Sequence, residues 1–423
     1  MRLSTFGPSW LIAVVVAGSA PSQTVLDLNA VYCSHADTIL PVEIPSIYWD
    51  SSQTDRFAAI HPSVVDFTLP WNGFRFWMAM TPYDSGLSEH ENPCLRVSQD
   101  GTEWIALPGC NDPLFTTADV IWASSGIGLD TATYLSDPRL ERDPDGSLWL
   151  MFRATWFEGF VVLPHSALLI SHSYNGVDWS KPALICEPAC DVSLMSPSFM
   201  INTNESWTIW TINGPVMDVL SQPFHYQLQR YRYIPMENNL ELLSVCDETP
   251  SLWHMDFTKV DATCLIAFMT MLPNYDLFAA QSLDGGVSWE VADQPLLQGT
   301  GIPGTFNRQL YKSCGLINLR RYGAALTLYY GTWQGGAPDG IAYTQTFIPY
   351  FGAGPCLDLN HDGEGPDISD LMVLVNYMFL GAGPPQPLTL ADVDTNGSCG
   401  DISDLVCLVT FMFQDGPLPP ACR

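Results

Sequence analysis

Before residue 350, apolar and polar positions alternate along most of the chain with the two-residue period of β-strands, and no long stretch keeps a helical period. The alternating runs recur. Residues 74–80, 147–153, 207–212, 264–270 and 324–330 are each dense in aromatic and branched side chains. A short opening precedes every run: His61-Pro62-Ser63-Val64, Asp137-Pro138-Arg139-Leu140, Ser196-Pro197-Ser198-Phe199, Thr249-Pro250-Ser251-Leu252 and, without the proline, Tyr311-Lys312-Ser313-Cys314. Asn72-Gly73 and Asp145-Gly146 lie between first and second strands, and Asp100-Gly101, Asn175-Gly176 and Asp284-Gly285 between third and fourth. Such pairs supply the positive φ angles that tight hairpins demand. Trp104, Trp179 and Trp289 follow the latter three and can cover each hairpin from the side. Five repeats of four short strands predict a mainly β chain, with a five-bladed β-propeller over residues 23–350.

The pattern changes after Pro355. Residues 356–422 hold many carboxylates and neither Lys nor Arg, and two apolar runs of helical character, 372–380 and 406–413, each follow an acidic loop. One loop carries Asp358, Asn360, Asp362, Glu364, Asp367 and Asp370; the other carries Asp392, Asp394, Asn396, Ser398, Asp401 and Asp404. Calcium takes six to eight hard oxygen ligands, which alternate loop positions deliver together. Asp358, Asn360 and Asp362 supply three of them, Gly363 turns the chain, the carbonyl of Glu364 adds another, and Asp370 closes the shell; Asp392, Asp394, Asn396, Ser398 and Asp404 repeat the set. Whether Asp367 and Asp401 or the later Asp370 and Asp404 do more of the binding is open at this level. Residues 351–355 are the expected linker, and Pro384-Pro385-Gln386-Pro387 a stiff connector between the two halves.

Charge adds an exclusion. Sixteen Lys plus Arg against forty-five Asp plus Glu give a formal charge of −29, a field that repels nucleic acid and anionic membranes. Arg2, an apolar run over 10–17 and the small residues Gly18, Ser19 and Ala20 form an export signal over residues 1–22, and no later segment is apolar enough to span a bilayer. A secreted protein without membrane insertion is expected. Twelve cysteines fit that compartment, with Cys94–Cys110, Cys186–Cys190, Cys246–Cys264 and Cys356–Cys422 as trial disulfides.

The Asx-Gly hairpins resemble the Asp-box repeat of sialidase-like propellers, and the pre-proline openings resemble the inner strands of family 43 glycoside hydrolases. His61-Pro62-Ser63-Val64, residues 71–83 and Glu91-Asn92-Pro93 look like secreted and phage-associated propellers of mostly unassigned activity. Residues 356–423 resemble a type I dockerin, with the closing Asp one place later than usual in both loops. The resemblance implies two calcium ions and a cohesin-type scaffold partner.

Inner strands of a propeller converge on its axis, so His61, Asp137, Ser196, Thr249, Tyr311 and Lys312 are expected at the channel mouth. The family 43 pattern places a base Asp, a tuning Asp and an acid Glu at the positions of His61, Asp137 and Ser196, and only Asp137 is retained. Glycoside hydrolysis takes two carboxyl groups. Asp137 is the first candidate, Glu91 its partner, and Glu158 and Asp256 weaker alternatives, with His61 as a base or a sugar-binding group. Arg139, Arg153 and Arg308 are candidates for gripping a uronate or sulfate. Trp71, Trp77, Trp122 and Trp156 are candidates for stacking on sugar rings. Gly-x-Ser-x-Gly is absent, and the three arginines and Tyr–Glu pair of a sialidase cannot be assembled. The sequence thus points to a polysaccharide-active propeller of glycoside hydrolase type, with a non-catalytic carbohydrate-binding or adhesion propeller as the alternative.

Overall fold

The computed structural model describes residues 26–29, 38–49, 56–120, 134–158, 163–186, 194–203, 206–213, 226–246, 252–261, 263–302, 308–319, 323–333, 338–350, 356–360, 366–385, 388–414 and 416–422. The export signal, the linker, Trp122, Cys190, Thr249, Asp362 and Glu364 lie outside them, as does the side chain of Glu158.

Among the described residues, twenty strands form five four-stranded antiparallel sheets. Strand β1 (Thr38–Ile39) comes first in the chain. Blade one is β2 (Ala59–Trp71), β3 (Phe74–Pro82), β4 (Cys94–Ser98) and β5 (Ile105–Ala106). Blade two is β6 (Tyr134–Arg142), β7 (Leu148–Glu158), β8 (Leu163–Ser173) and β9 (Ala183–Cys186). Blade three is β10 (Met195–Thr203), β11 (Ser206–Asn213), β12 (Gln227–Ile234) and β13 (Asn239–Cys246). Blade four is β14 (Leu252–Lys259), β15 (Leu265–Met271), β16 (Asp276–Ser282) and β17 (Glu290–Val291). Blade five is β18 (Gln309–Leu319), β19 (Gly323–Trp333) and β20 (Pro338–Pro349), completed by β1. The first strand thus closes the last sheet, with Thr38 opposite Tyr343, and this pairing locks the ring. Inner strands β2, β6, β10, β14 and β18 each pack on the next around the axis.

Strands pair because side chains of alternating polarity bury one face in the core between blades. Trp77, Leu150, Phe152 and Trp156 fill the space between the first two blades, and Phe268, Leu326, Leu328 and Tyr330 that between the last two. The Asx-Gly turns pin the hairpins as expected. Asn175 Oδ1 accepts from the Val177 and Asp178 amides at 2.9 and 2.8 Å, and Trp179 Nε1 donates to the Gly176 carbonyl at 2.8 Å. Gly176 has φ +75°, and a Cβ there would stand 2.2 Å from the Trp77 ring. Gly176→Ala should therefore lower stability by about 3 kcal/mol, seen as a fall of roughly 5 °C or more in the melting temperature. Gly146, at φ +95° with open space around it, is the control and should cost about 1 kcal/mol as alanine.

The carboxyl-terminal module has helices α1 (Ile368–Leu380) and α2 (Ile402–Phe413). Leu371, Leu374, Leu390, Val393, Leu408 and Phe411 form its core, which also takes in Phe347 of blade five. Cys356–Cys422 ties its two ends together. Two of the other trial disulfides differ: Cys94, Cys110, Cys246 and Cys264 are thiols, while the Cys186–Cys190 pairing involves a residue outside the described ones. Cys246 pairs with Leu228 at the start of β12, whereas Cys264 lies at the turn leading into β15, so the two sit at opposite ends of neighbouring blades. The Cys94 thiol donates to the Asn92 carbonyl instead, at 3.2 Å.

Candidate functional site at the hub

Each inner strand carries one extra residue relative to its neighbour near its start, between Ile60 and Ser63, Ser136 and Arg139, Met195 and Ser198, Leu252 and His254, and Leu310 and Ser313. A bulge re-aims the side chains beside it. His61, Asp137 and Ser196 take φ of 56°, 53° and 46°, a left-handed backbone that non-glycine residues adopt at a cost and that clusters at functional sites. The following proline has no amide to lose from the ladder.

Two tiers of polar side chains result. The upper one holds His61, Asp137, Ser196, His254 and Tyr311. Asp137 Oδ1 lies 3.4 Å from His61 Nε2 and 3.6 Å from His254 Nδ1. His61 Nδ1 bonds Thr81 Oγ1 at 2.9 Å, and His254 Nδ1 bonds Ser196 Oγ at 2.6 Å. The Nε2 atoms of both imidazoles and Asp137 Oδ1 are buried without a hydrogen-bond partner. Arg153 Nη2 forms an ion pair with Asp137 Oδ2 at 3.0 Å while also donating to Ser136 Oγ at 3.0 Å. The Tyr311 ring stands 4.4 Å from that of His254 and 5.2 Å from that of His61. Two residues further along the strands, the lower tier sets Arg139 against Asp256 at 3.3 Å and Ser198 against Asp256 at 3.0 Å. Between the tiers, buried Lys312 donates to the Pro138 carbonyl at 3.1 Å, supporting the backbone that carries Asp137.

Electrostatics sorts these groups. Burial lowers the His61 pKa to about 3, helped by the charges of Lys312 and Arg153 and opposed by Asp137. Burial likewise drives His254 well below its usual value. Both imidazoles are therefore neutral. Burial alone would raise Asp137, but Arg153 foremost, then His61, His254 and Lys312, outweigh it and hold the carboxyl below its normal range. Glu91 behaves oppositely: burial, then the Asp137 charge, push it up to about 8 against Arg153 and a hydrogen bond from Ser88. Its Oε2 lies 3.7 Å from His61 Nδ1.

One ionised carboxylate and two neutral imidazoles, each held at Nδ1 by a hydroxyl, make a donor set suited to a divalent cation. Atoms of His61, Asp137 and His254 lie within 4.8 Å of one another, close enough to share an ion. The unpartnered Asp137 Oδ1 and the two Nε2 atoms fit this use, since a buried polar atom without a partner is costly otherwise.

Glu91 also yields a stability test in chelator-treated protein. Its native pKa of about 8 exceeds the unfolded value near 4.5, so the folded state binds more protons between those limits. The stability it contributes is full below pH 4.5 and drains as pH rises through 8, at up to about 1.4 kcal/mol per pH unit. The lowered imidazoles push the other way below about pH 6.5, so the comparison must be with the variant. Glu91→Gln should gain about 2 kcal/mol relative to wild type between pH 6 and 8 in urea melts; a constant difference across that range would show that Glu91 is ionised.

Of the residues singled out from sequence, the structure gathers His61, Asp137 and Arg153 at one point, with Glu91 behind His61. Arg139 and Asp256 belong to the buried lower tier. Trp71 lies at the far end of β2, stacked on Phe67 at 5.2 Å, and Trp156 is 1% exposed, packed against His165; neither reaches the hub mouth. Trp77 is fully buried core. Arg308 lines a separate cavity. His254 escaped notice because the Thr249-Pro250 repeat drew the opening of blade four five residues too early. The apolar residue three places on (Val64, Leu140, Phe199, Phe257, Cys314) was the signal that aligns His254 with the others.

In the carboxyl-terminal module, Asp392, Asp394 and Asp404 converge within 4.8 Å. Asp404 accepts from the Val393, Asp394 and Asp401 amides, and Asp370 matches it with those of Leu359, Asn360 and Asp367. Asp367 and Asp401 instead cap α1 and α2, each accepting from the second and third helical amides. Asp358 is buried beside them, Asn360 donates to Ser369 Oγ at 2.8 Å, Asn396 Oδ1 accepts from the Ser398 amide at 2.7 Å, and Asn396 Nδ2 donates to Ser403 Oγ at 2.8 Å.

No protein-family model matches the chain. A 72-residue stretch is 38% identical to the A type blood N-acetyl-alpha-D-galactosamine deacetylase of Flavonifractor plautii, covering 17% of this chain and 9% of that protein. The chain thus aligns with under a tenth of that relative's length. The crystal structure of an N-acetylgalactosamine deacetylase from F. plautii, in complex with blood group B trisaccharide, matches with a TM-score of 0.57 at 17% identity, over 75% of this chain and 95% of that one. A xylan β-1,4-xylosidase from Bacillus halodurans matches at 0.48 and 15%, over 70% and 55%. At 17% identity the F. plautii structure shows a shared fold and no more; function has to be argued from the site.

Proposed function

We propose that the propeller is a divalent-cation hydrolase that removes acyl groups, in particular N-acetyl groups, from glycans. The observation that carries this is the meeting of two neutral imidazoles and an ionised carboxylate, all buried, at the hub mouth, with both Nε2 atoms and Asp137 Oδ1 left without a hydrogen bond. A cation held by His61, Asp137 and His254 would supply a Lewis acid that polarises the acyl carbonyl and activates water. The chain's own residues set up that centre. Thr81 and Ser196 fix the two ring orientations, Arg153 keeps Asp137 ionised, and Lys312 anchors its backbone. Tyr311 walls the site beside both rings.

Acyl rather than glycosidic cleavage is favoured by the placement of the second carboxyl. Glu91 approaches Nδ1 of His61 while Asp137 approaches Nε2, so the imidazole stands between them where a glycosidic bond would have to lie. The fold shared with an N-acetylgalactosamine deacetylase over 75% of the chain supports the same choice. Chelator-treated protein should release no acetate from an N-acetylgalactosamine glycan, and adding back zinc, cobalt or manganese should restore release without freeing reducing sugar.

One observation favours a second reading, glycoside hydrolysis by Glu91 as acid and Asp137 as base. Their proton affinities are driven in opposite directions, as acid–base pairs require. That reading predicts sugar release that persists in chelator and disappears in Asp137→Ala and Glu91→Ala.

For residues 356–423 we propose a two-calcium docking module for a cohesin-type domain, carried by an exported protein. Supporting it, Ile368, Met372 and Phe379 on α1 and their equivalents Ile402, Val406 and Phe413 on α2 are all 46–62% exposed, an apolar face repeated on both helices. Exposed apolar clusters of this kind mark interaction surfaces.

A further inference from the structure

Beside the hub, between blades four and five, a cavity of about 490 Å³ opens on the mouth face, within the size range of small-molecule sites. The placement follows from topology. Residues 273–276 form the turn from β15 to β16, and Met271 pairs with Leu252 at the start of β14, next to His254. Arg308 and Gln309 lead into β18, just before Tyr311.

The cavity is built rather than incidental. The Leu310 amide donates to the Tyr275 carbonyl, the Gly301 amide to that of Arg308, and the Gly299 amide to Asp276 Oδ1 at 2.9 Å. Gly299 lets the backbones approach: a Cβ there would meet the carbonyls of Arg308 and Asn274 at 3.0 Å. Tyr275 is held at φ 60°, an outlier for a bulky residue and a form of strain that clusters at ligand clamps. Its ring lies edge-on to Trp253 at 6.4 Å, and Trp253 directly precedes His254. The lining is mostly polar, with Asn274, Gln298, Gln309 and Arg308 around the tyrosine.

We propose that this cavity is a glycan subsite that holds neutral pyranose units next to the one being deacylated, and so makes the enzyme select extended chains over single sugars. The inference rests on the hydrolase reading of the hub. Planar amides that both donate and accept, together with one half-buried aromatic ring, match a ring bearing vicinal hydroxyls and an apolar face. No further carboxylate or phosphate chemistry is needed, since one cation and one carboxylate balance in the lining.

The test is binding by the full chain in chelator, using free N-acetylgalactosamine and a trisaccharide that bears it at the non-reducing end. Wild type should bind the trisaccharide at least ten-fold more tightly. Gln298→Ala, an exposed and structurally mild change, and Tyr275→Gly, which suits the left-handed backbone, should each remove most of that gain while leaving monosaccharide affinity unchanged. Equal affinity for the two sugars in wild type, or a gain that survives both variants, overturns the subsite. Acetate release is scored separately. Wild type that binds the trisaccharide through these residues but never releases acetate would overturn the hydrolase and leave the subsite standing.

Discussion

Replacing His254 by alanine should lower metal-dependent acetate release roughly a thousand-fold or more, about 4 kcal/mol of lost transition-state stabilisation. The size follows from its position. In the proposed centre it completes a three-ligand set with His61 and Asp137, and a site left with two ligands would neither retain a cation nor aim it. Ser196→Ala should cost less, about 10–100-fold, because the serine acts only through its 2.6 Å bond to His254 Nδ1. Its effect should appear as weaker metal affinity, partly overcome by excess cation, whereas His254→Ala should not be rescued. Full activity in His254→Ala would remove this residue from the reaction.

The second large effect concerns the tail. Asp404 is fully buried and accepts three backbone amides, from Val393, Asp394 and Asp401. Asp404→Ala strands all three and deletes one oxygen from the acidic cluster, a cost of about 4 kcal/mol or more. A module of this size, with one disulfide and a small core, has little more than that to lose. Hydrogen exchange across α1 and α2 should become fast, calcium should no longer slow it, and binding to a cohesin-type domain should vanish. The propeller should keep its own transition, because its ring closes through the pairing of β1 with β20 and gives up only the tail's packing on Phe347. A single unchanged transition with slow exchange in both helices would contradict the assignment of Asp404.

The repeat made the architecture legible. Opening segments, aromatic second strands and Asx-Gly turns each recur because every blade solves the same packing problem, so five copies reinforce one another. What a repeat cannot supply is register. A strand that enters one bulge later moves a different side chain into the channel, which is how His254 was passed over for Thr249. Nor does residue type distinguish the two tiers: Arg139 and Arg153 look alike in sequence, yet one braces Asp256 in the lower tier and the other holds Asp137 in the site. Tryptophans misled for a related reason. Trp71, Trp77 and Trp156 fill gaps between twisted sheets, where large rings are needed regardless of function. In the tail, loop spacing marks the acidic segments, but only the helix caps separate Asp367 and Asp401 from Asp370 and Asp404.

Visible absorption of cobalt(II) added to chelator-treated protein bears most directly on the hub. Nitrogen ligands give cobalt a ligand-field spectrum unlike that from the oxygen-only tail loops. Wild type should show one equivalent of that spectrum, and the His61→Ala/His254→Ala double variant should show none while still taking up calcium. Identical spectra from the two proteins, or no nitrogen-ligated cobalt in wild type, would mean that the hub holds no metal.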